Sequence, residues 1–175
     1  GVFSAIEREK DNTPGTVWYA VSLLLLSFAG WTLQVPWVAA CGMLAMGYGD
    51  GLAALVGQGE NRRRFPGTLA NKSLEGTLTV AFFTAVAVGA VCLVYQPAIA
   101  LPAALCCGAV AAAVELYSPG GIDNLTLPLS VSLTTYLIAM CPPARPYLYG
   151  LALTLGILLA AFFLGSLTLP GVHTA

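Results

Sequence analysis

Long apolar stretches alternate with short polar segments along the whole chain. A transmembrane α-helix needs roughly 20 apolar residues to cross the bilayer core. It also pairs its own backbone groups, which a lipid-exposed segment must do. Six stretches are predicted to be such helices: residues 16–34, 37–56, 74–95, 98–117, 125–141 and 147–167. The predicted fold is therefore an all-α integral membrane protein, a single bundle of about six transmembrane helices.

Composition supports this fold, because 58% of the residues are hydrophobic and only 9% are charged. The polar loops are too short to form a separate soluble domain, so we expect one transmembrane domain over residues 1–175. The chain starts at Gly1 rather than at a methionine, and we expect its amino terminus to be incomplete. Five cysteines lie in or beside apolar stretches without the spacing of a zinc site, which indicates packing.

A polar strip from residue 47 to residue 76 interrupts the apolar pattern. Of the 15 charged residues, nine lie in this strip or at two acids farther along, Glu115 and Asp123. An ionisable group at the end of an apolar helix is costly and is often functional. Acids and bases this close together are suited to hold a metal ion and a phosphate at a membrane surface.

Six helices in series place alternate connections on opposite faces of the membrane. One face receives the amino-terminal segment, loop 57–71 and loop 118–124, with six of the seven Lys and Arg residues and all eight acids. The positive-inside rule places this face in the cytosol or stroma. A transporter is disfavoured, because no ionisable residue lies at the middle of a predicted span.

Asp50 lies one to two turns from the end of the second predicted helix, among four glycines that allow a ligand to approach closely. A carboxylate there can bind Mg²⁺ or pair with a base. The triplet Arg62, Arg63 and Arg64 can anchor lipid head groups or bind phosphate. Asp50 and the three arginines are therefore candidate site residues, and each also has a purely structural interpretation.

Lys72 and Ser73 lie where the third predicted helix begins, with Asn71 as the expected N-cap. Free N–H groups and the helix dipole favour an anion at this position. Glu75 can pair with Lys72 or join a metal shell. A nucleotide-binding P-loop is rejected, because the glycine that precedes the lysine in that motif is missing.

Two further acids lie on either side of the turn between the fourth and fifth predicted helices. Glu115 ends the fourth helix behind a stripe of small residues that favours close helix packing. Asp123 follows a glycine turn, and it can be an N-cap or a functional acid.

These motifs resemble the shared core of the CTP-dependent lipid kinases, a family of phytol, farnesol, dolichol and yeast-type diacylglycerol kinases that is related to the phosphatidate cytidylyltransferases. The resemblance covers about residues 5–168. Its two characteristic blocks are Lys72-Ser73-x-Glu75-Gly76 and Asp123-Asn124-Leu125-Thr126-x-Pro128, and Asp50-x-x-Ala53-x-x-x-Gly57 precedes them. The carboxyl-terminal signature of the cytidylyltransferases is absent from the sequence.

The resemblance implies phosphoryl transfer from CTP to the hydroxyl of a membrane isoprenoid alcohol. Mg²⁺ would be held by Asp50, with Glu75 or Glu115 as a second ligand. Asp123, or alternatively Glu115, would orient or deprotonate the alcohol. Phosphate and nucleotide contacts would come from Lys72, Ser73, Asn124 and one or more of Arg62, Arg63 and Arg64.

Two alternatives remain open: a nucleotidyltransferase that makes a CDP-lipid from a lipid phosphate, and a non-enzymatic subunit of a larger membrane complex descended from such a kinase. The expected partners are the lipid bilayer, the lipid alcohol and CTP, without nucleic acid. The membrane itself, whether bacterial inner membrane, plastid membrane or endoplasmic reticulum, is left open by the sequence.

Overall fold

Helices form nearly all of the part of the chain that the structure, a computed structural model, describes: residues 13–57, 73–118 and 121–140. Within these ranges the α-helices are α1 (Thr13–Thr32), α2 (Pro36–Leu44), α3 (Gly51–Gly57), α4 (Leu74–Tyr95), α5 (Ala100–Tyr117) and α6 (Asp123–Ala139). A π-helical segment, Ala45–Asp50, joins α2 to α3, and a 3-10 turn, Pro97–Ile99, precedes α5. These ranges contain no β-sheet.

Four helical segments are long and apolar enough to cross a membrane: Gly15–Thr32, Pro36–Val56, Leu74–Tyr95 and Pro97–Tyr117. Large apolar side chains face outward from them; Phe28 and Trp31, for example, are 69% and 76% exposed. An all-α membrane protein is therefore confirmed.

The expected number of six spans is only partly tested. The fifth predicted stretch forms α6, a helix of 17 residues, whereas the sixth, residues 147–167, lies outside the described residues. A bundle of about six helices and one domain over residues 1–175 both stay predictions.

Local signals explain where the helices begin. Pro36 occupies the first turn of α2, where its missing N–H costs nothing. The preceding reversal uses Gln34 with a positive φ of 58°. At the start of α4 the expected N-cap Asn71 was wrong: Ser73 is the N-cap, and its hydroxyl accepts the Gly76 N–H at 3.1 Å. Ser73 is extended, as an N-cap requires, so the N-cap lies two residues after Asn71 and the helix begins at Leu74.

Small residues allow the helices to approach each other closely, as the stripe before Glu115 predicts. A Cβ on Gly108 of α5 would lie 2.8 Å from the Ala81 carbonyl oxygen of α4. A Cβ on Gly42 of α2 would collide with the Pro128 carbonyl and the Ser132 hydroxyl of α6. The backbones of these helix pairs are therefore nearly in contact.

The second span contains an irregularity that its apolar pattern does not predict. Ala45–Asp50 forms a π-helical turn, which changes the angular position of the residues after it relative to those before it. Gly49 in this turn packs on α4, where a Cβ would lie 2.7 Å from Thr84 Oγ1. Asp50 is the last residue of the π-helical segment, so this packing contact lies next to an acid of the predicted site.

Four of the five cysteines lie within the described residues, and all four, Cys41, Cys92, Cys106 and Cys107, are buried in the core. The Cys107 sulfur lies 3.3 Å from Thr135 Oγ1 of α6. Their burial supports the predicted packing role; Cys141 lies outside the described residues.

Gly108→Ala is expected to lower the free energy of unfolding by about 1–3 kcal/mol, because the added methyl group must displace the α4 backbone. Thermal unfolding in detergent measures this. Gly51→Ala is the matched control, since a Cβ at Gly51 meets nothing within 4 Å and alanine favours a helix. Equal unfolding temperatures for the two variants would contradict the close α4–α5 contact.

Candidate functional site

Three carboxylates converge at one end of the bundle. Asp50 ends the π-helical segment, Glu115 lies in the last turn of α5, and Asp123 is the first residue of α6. One carboxylate oxygen from each lies within 4.8 Å of those of the other two. Asp50 is more than 60 positions from the other two in the sequence, yet the three form one group of acids, and these acids were predicted to share a membrane face.

This acidic group is largely removed from solvent. Glu115 is 6% exposed and Asp123 is 8% exposed, while Asp50 is half-buried. Buried acids in proteins are usually hydrogen-bonded, paired with a base or bound to a metal ion. Positive charge close to the group stabilises it, and a cation with oxygen ligands is one source of such charge.

The turn before α6 determines where Asp123 lies. The N-cap of α6 is Ile122, so the alternative that Asp123 is the N-cap was wrong. Its Oδ1 accepts the backbone N–H of Asn124 at 3.1 Å, and its carboxylate faces Asp50 and Glu115. Gly121 has a φ of 85°, a left-handed conformation that glycine adopts without strain.

A second contact attaches this turn to α1. The Asn124 side-chain amide donates to the Gly15 carbonyl at 3.1 Å. A Cβ on Gly121 would lie 3.2 Å from the Gly15 Cα, so the two backbones are in close contact. The start of α1 therefore lies beside the acidic group. The role of Asn124 in binding nucleotide or metal stays a prediction.

The other predicted residues divide into two sets. Ser73 is buried and caps α4, and Glu75 is half-buried in the first turn of that helix, outside the group of three acids. Arg62, Arg63, Arg64 and Lys72 lie outside the described residues. Their predicted contacts with phosphate, and the metal role of Glu75, stay predictions.

A hydroxyl contact across the turn between α5 and α6 is not predicted by the sequence pattern. Ser118 and Thr126 bring their hydroxyl oxygens within 3.0 Å of each other, and the Thr126 hydroxyl also donates to the Ile122 carbonyl. The contact ties the end of α5 to the first turn of α6, and thereby Glu115 to Asp123. In the sequence, the threonine of the Asp-Asn-x-Thr block, Thr126, was the residue from which this contact could have been predicted.

Comparison with known proteins bears on the family that the chain resembles. No family model matches the chain, and no solved structure matches it. The chain is 38% identical over 138 residues to a phytol kinase from Synechocystis sp. (strain ATCC 27184 / PCC 6803 / Kazusa). The resemblance to the polyprenol kinase family is thereby confirmed. The aligned residues make up 77% of this chain but only 59% of that relative's length.

Asn124→Ala is expected to lower the free energy of unfolding by about 1 kcal/mol, since the Gly15 carbonyl loses its side-chain donor. Thermal unfolding in detergent is again the measurement. Gln96→Ala removes an exposed amide at the opposite end of the bundle and serves as the control. If both variants unfold at the same temperature, the Asn124 contact does not hold α1 to α6.

Proposed function

We propose that this protein is a CTP-dependent, Mg²⁺-requiring kinase that phosphorylates the hydroxyl of a membrane isoprenoid alcohol. The observation that carries the proposal is the convergence of Asp50, Glu115 and Asp123 at one end of an apolar bundle. The similarity to a phytol kinase supports the reaction class. The aligned residues cover only 59% of that relative's length. The activity and substrate of this chain are therefore proposed here.

The three carboxylates fit a magnesium ion by their chemistry. Mg²⁺ prefers oxygen ligands and is commonly bound through one or two carboxylates together with substrate phosphates and water. Asp50 and Glu115 are the proposed ligands, and Asp123 lies close enough to contribute. When bound, the ion would neutralise phosphate charge and orient the transferred group.

The alcohol would be activated by a carboxylate of the same group. Asp123 accepts the hydroxyl proton as the alcohol oxygen bonds to the γ-phosphorus of CTP, and the bond from that phosphorus to the bridging oxygen breaks. The products are the lipid monophosphate and CDP. Since phosphoryl transfer requires mainly positioning and charge neutralisation, one base among fixed charges is sufficient.

The phosphates would bind at the start of α4. Lys72 immediately precedes the N-cap Ser73, and a helix amino terminus favours an anion. Arg62, Arg63 and Arg64 supply further phosphate donors. The excess of basic residues on this face supports a site that faces the cytosol or stroma.

The first test supplies the purified protein in detergent with Mg²⁺, CTP labelled at the γ-phosphate, and a panel of lipid alcohols. Label transferred to an alcohol is the expected result. Release of pyrophosphate with a lipid phosphate would instead establish a nucleotidyltransferase. Failure to bind CTP, with co-purification in a large complex, would favour the non-enzymatic subunit.

Asp50→Asn and Lys72→Ala are each expected to reduce kcat/KM by about 100-fold or more, since charge stabilisation of a transition state is worth this much in other enzymes. Turnover of labelled CTP measures the loss, and unchanged unfolding temperatures show that the variants are folded. Glu60→Gln, an acid outside every motif, is the control. Full activity in either variant would refute the assigned role of that residue.

Added Mg²⁺ is expected to raise the unfolding temperature of the wild-type protein, by the equivalent of about 2.7 kcal/mol at 100 times its dissociation constant. Asp50→Asn and Glu115→Gln should abolish the increase, because each removes a ligand charge. No increase in the wild type would mean that basic side chains, rather than the ion, compensate the acids. An increase retained in both variants would place the ion elsewhere.

A further inference from the structure

A cavity that could bind a ligand lies between α1, α2 and α6, away from the acidic group. An apolar cavity of about 280 Å³ is bounded by α1, the turn to α2, α2 itself and α6. Leu26, Ala29 and Leu33 line it on one side, and Leu129, Leu133 and Tyr136 on the other. It is partly open, and Leu33 and Leu133 at its edge are 57% and 58% exposed. The feature is called the tail groove below.

The lining of the tail groove is apolar, and its serine hydroxyl is used internally. Ser132 lines it, but the Ser132 hydroxyl donates to the Val38 carbonyl of α2 at 3.1 Å. Small and buried residues form its base: Val38 and Ala39 are 4% and 7% exposed. Gly30 allows the close approach, since a Cβ there would lie 2.8 Å from the Ala39 side chain. A hydrocarbon chain suits such a lining, whereas a polar ligand does not.

The tail groove and the acidic group are linked by α6, which carries Asp123 and lines the groove, and by α1, which lines the groove and begins beside Asn124. Leu129 and Tyr136 follow Asp123 by 6 and 13 residues on α6, which is about 9 and 20 Å at the rise of an α-helix. Leu26 and Gly30 follow Gly15 by 11 and 15 residues on α1, which is roughly 17 and 23 Å. Gly15 itself lies beside Asn124. The tail groove is therefore about 10–20 Å deeper in the bundle than the carboxylates.

The distance between the carboxylates and the tail groove determines how long a hydrocarbon chain must be to reach both. With carbon–carbon bonds of about 1.5 Å, an extended chain advances roughly 1.3 Å per bond, so 9–20 Å is about 7–15 bonds. An apolar cavity of about 150 Å³ binds benzene in another protein. A cavity of 280 Å³ can therefore hold the middle or distal part of a long chain rather than a whole lipid.

We propose that the tail groove binds the distal hydrocarbon of the isoprenoid alcohol whose hydroxyl lies at Asp50, Glu115 and Asp123. This inference rests on the proposed kinase function and makes it more specific, because it selects alcohols longer than about seven carbons. The tail reaches the groove sideways from the bilayer. Because lipid is as apolar as the groove, discrimination comes from packing and shape rather than from the hydrophobic effect.

The first experiment locates the tail directly. A 20-carbon isoprenoid alcohol with a photoreactive diazirine at its distal end is irradiated with the wild-type protein in lipid nanodiscs. Labelling of residues 26–39 and 129–136 is expected, and excess unlabelled alcohol should abolish it. Labelling of other residues would overturn the inference. In that case a bilayer lipid or another segment of this chain fills the groove.

The second experiment obstructs the groove. Ala29→Phe is expected to reduce kcat/KM about tenfold or more for the 20-carbon alcohol, the effect of a small steric change in an apolar pocket. Activity on a five-carbon isoprenoid alcohol should be unchanged, because that chain ends before the groove. Ala90→Phe, at an exposed position on α4, is the matched control and should affect neither substrate.

The outcomes separate this inference from the proposed function. If the wild type phosphorylates both alcohols and Ala29→Phe affects them equally or not at all, the kinase stands and the tail groove is refuted. If the wild type phosphorylates no alcohol, the kinase itself is refuted and the inference falls with it. Should Ala29→Phe not fold, the labelling of the wild type still decides.

Discussion

The placement of three carboxylates in a bundle that is otherwise apolar is the constraint on which this structure depends. An ionisable group in an apolar membrane bundle is costly unless it has a partner or a function, and here three carboxylates lie within 4.8 Å of one another. Glu115 and Asp123 are also buried. The helices that carry the acids must therefore be held in place by packing.

Close packing supplies the rigidity. Gly108 lets α5 approach α4, Gly42 lets α2 approach α6, and Gly49 lets the π-helical segment approach α4. In a membrane, helix association depends on such contacts, because lipid removes most of the hydrophobic driving force between helices. Polar contacts then define the site end: Asn124 holds Gly15, and Ser118 lies against Thr126.

The same packing leaves two environments of opposite character along α6, and the start and the later turns of α1 lie beside them in turn. One end presents carboxylates, and the region about 10–20 Å deeper presents only hydrocarbon. An isoprenoid alcohol has the same division, a single polar hydroxyl on a long apolar chain. The proposed function and the proposed tail groove are therefore two consequences of one arrangement.

The sequence by itself determined the fold class, and it singled out the three acids that the structure brings together. An apolar run of about 20 residues forms a helix in lipid because a helix pairs all of its own backbone groups. Five of the six predicted runs are helices in the described residues. Scarcity of charge made Asp50, Glu115 and Asp123 conspicuous. Only the tertiary structure decided that these three, and not Glu75, meet within 4.8 Å.

It also decided that Ser73 rather than Asn71 caps α4, that Asp123 is not an N-cap, and that a π-helical turn precedes Asp50. The reason is physical. Run length and composition are local properties, whereas the distances between helices depend on how side chains and glycines interdigitate across the bundle. A cavity such as the tail groove is a product of that interdigitation, so no local pattern in the sequence encodes it.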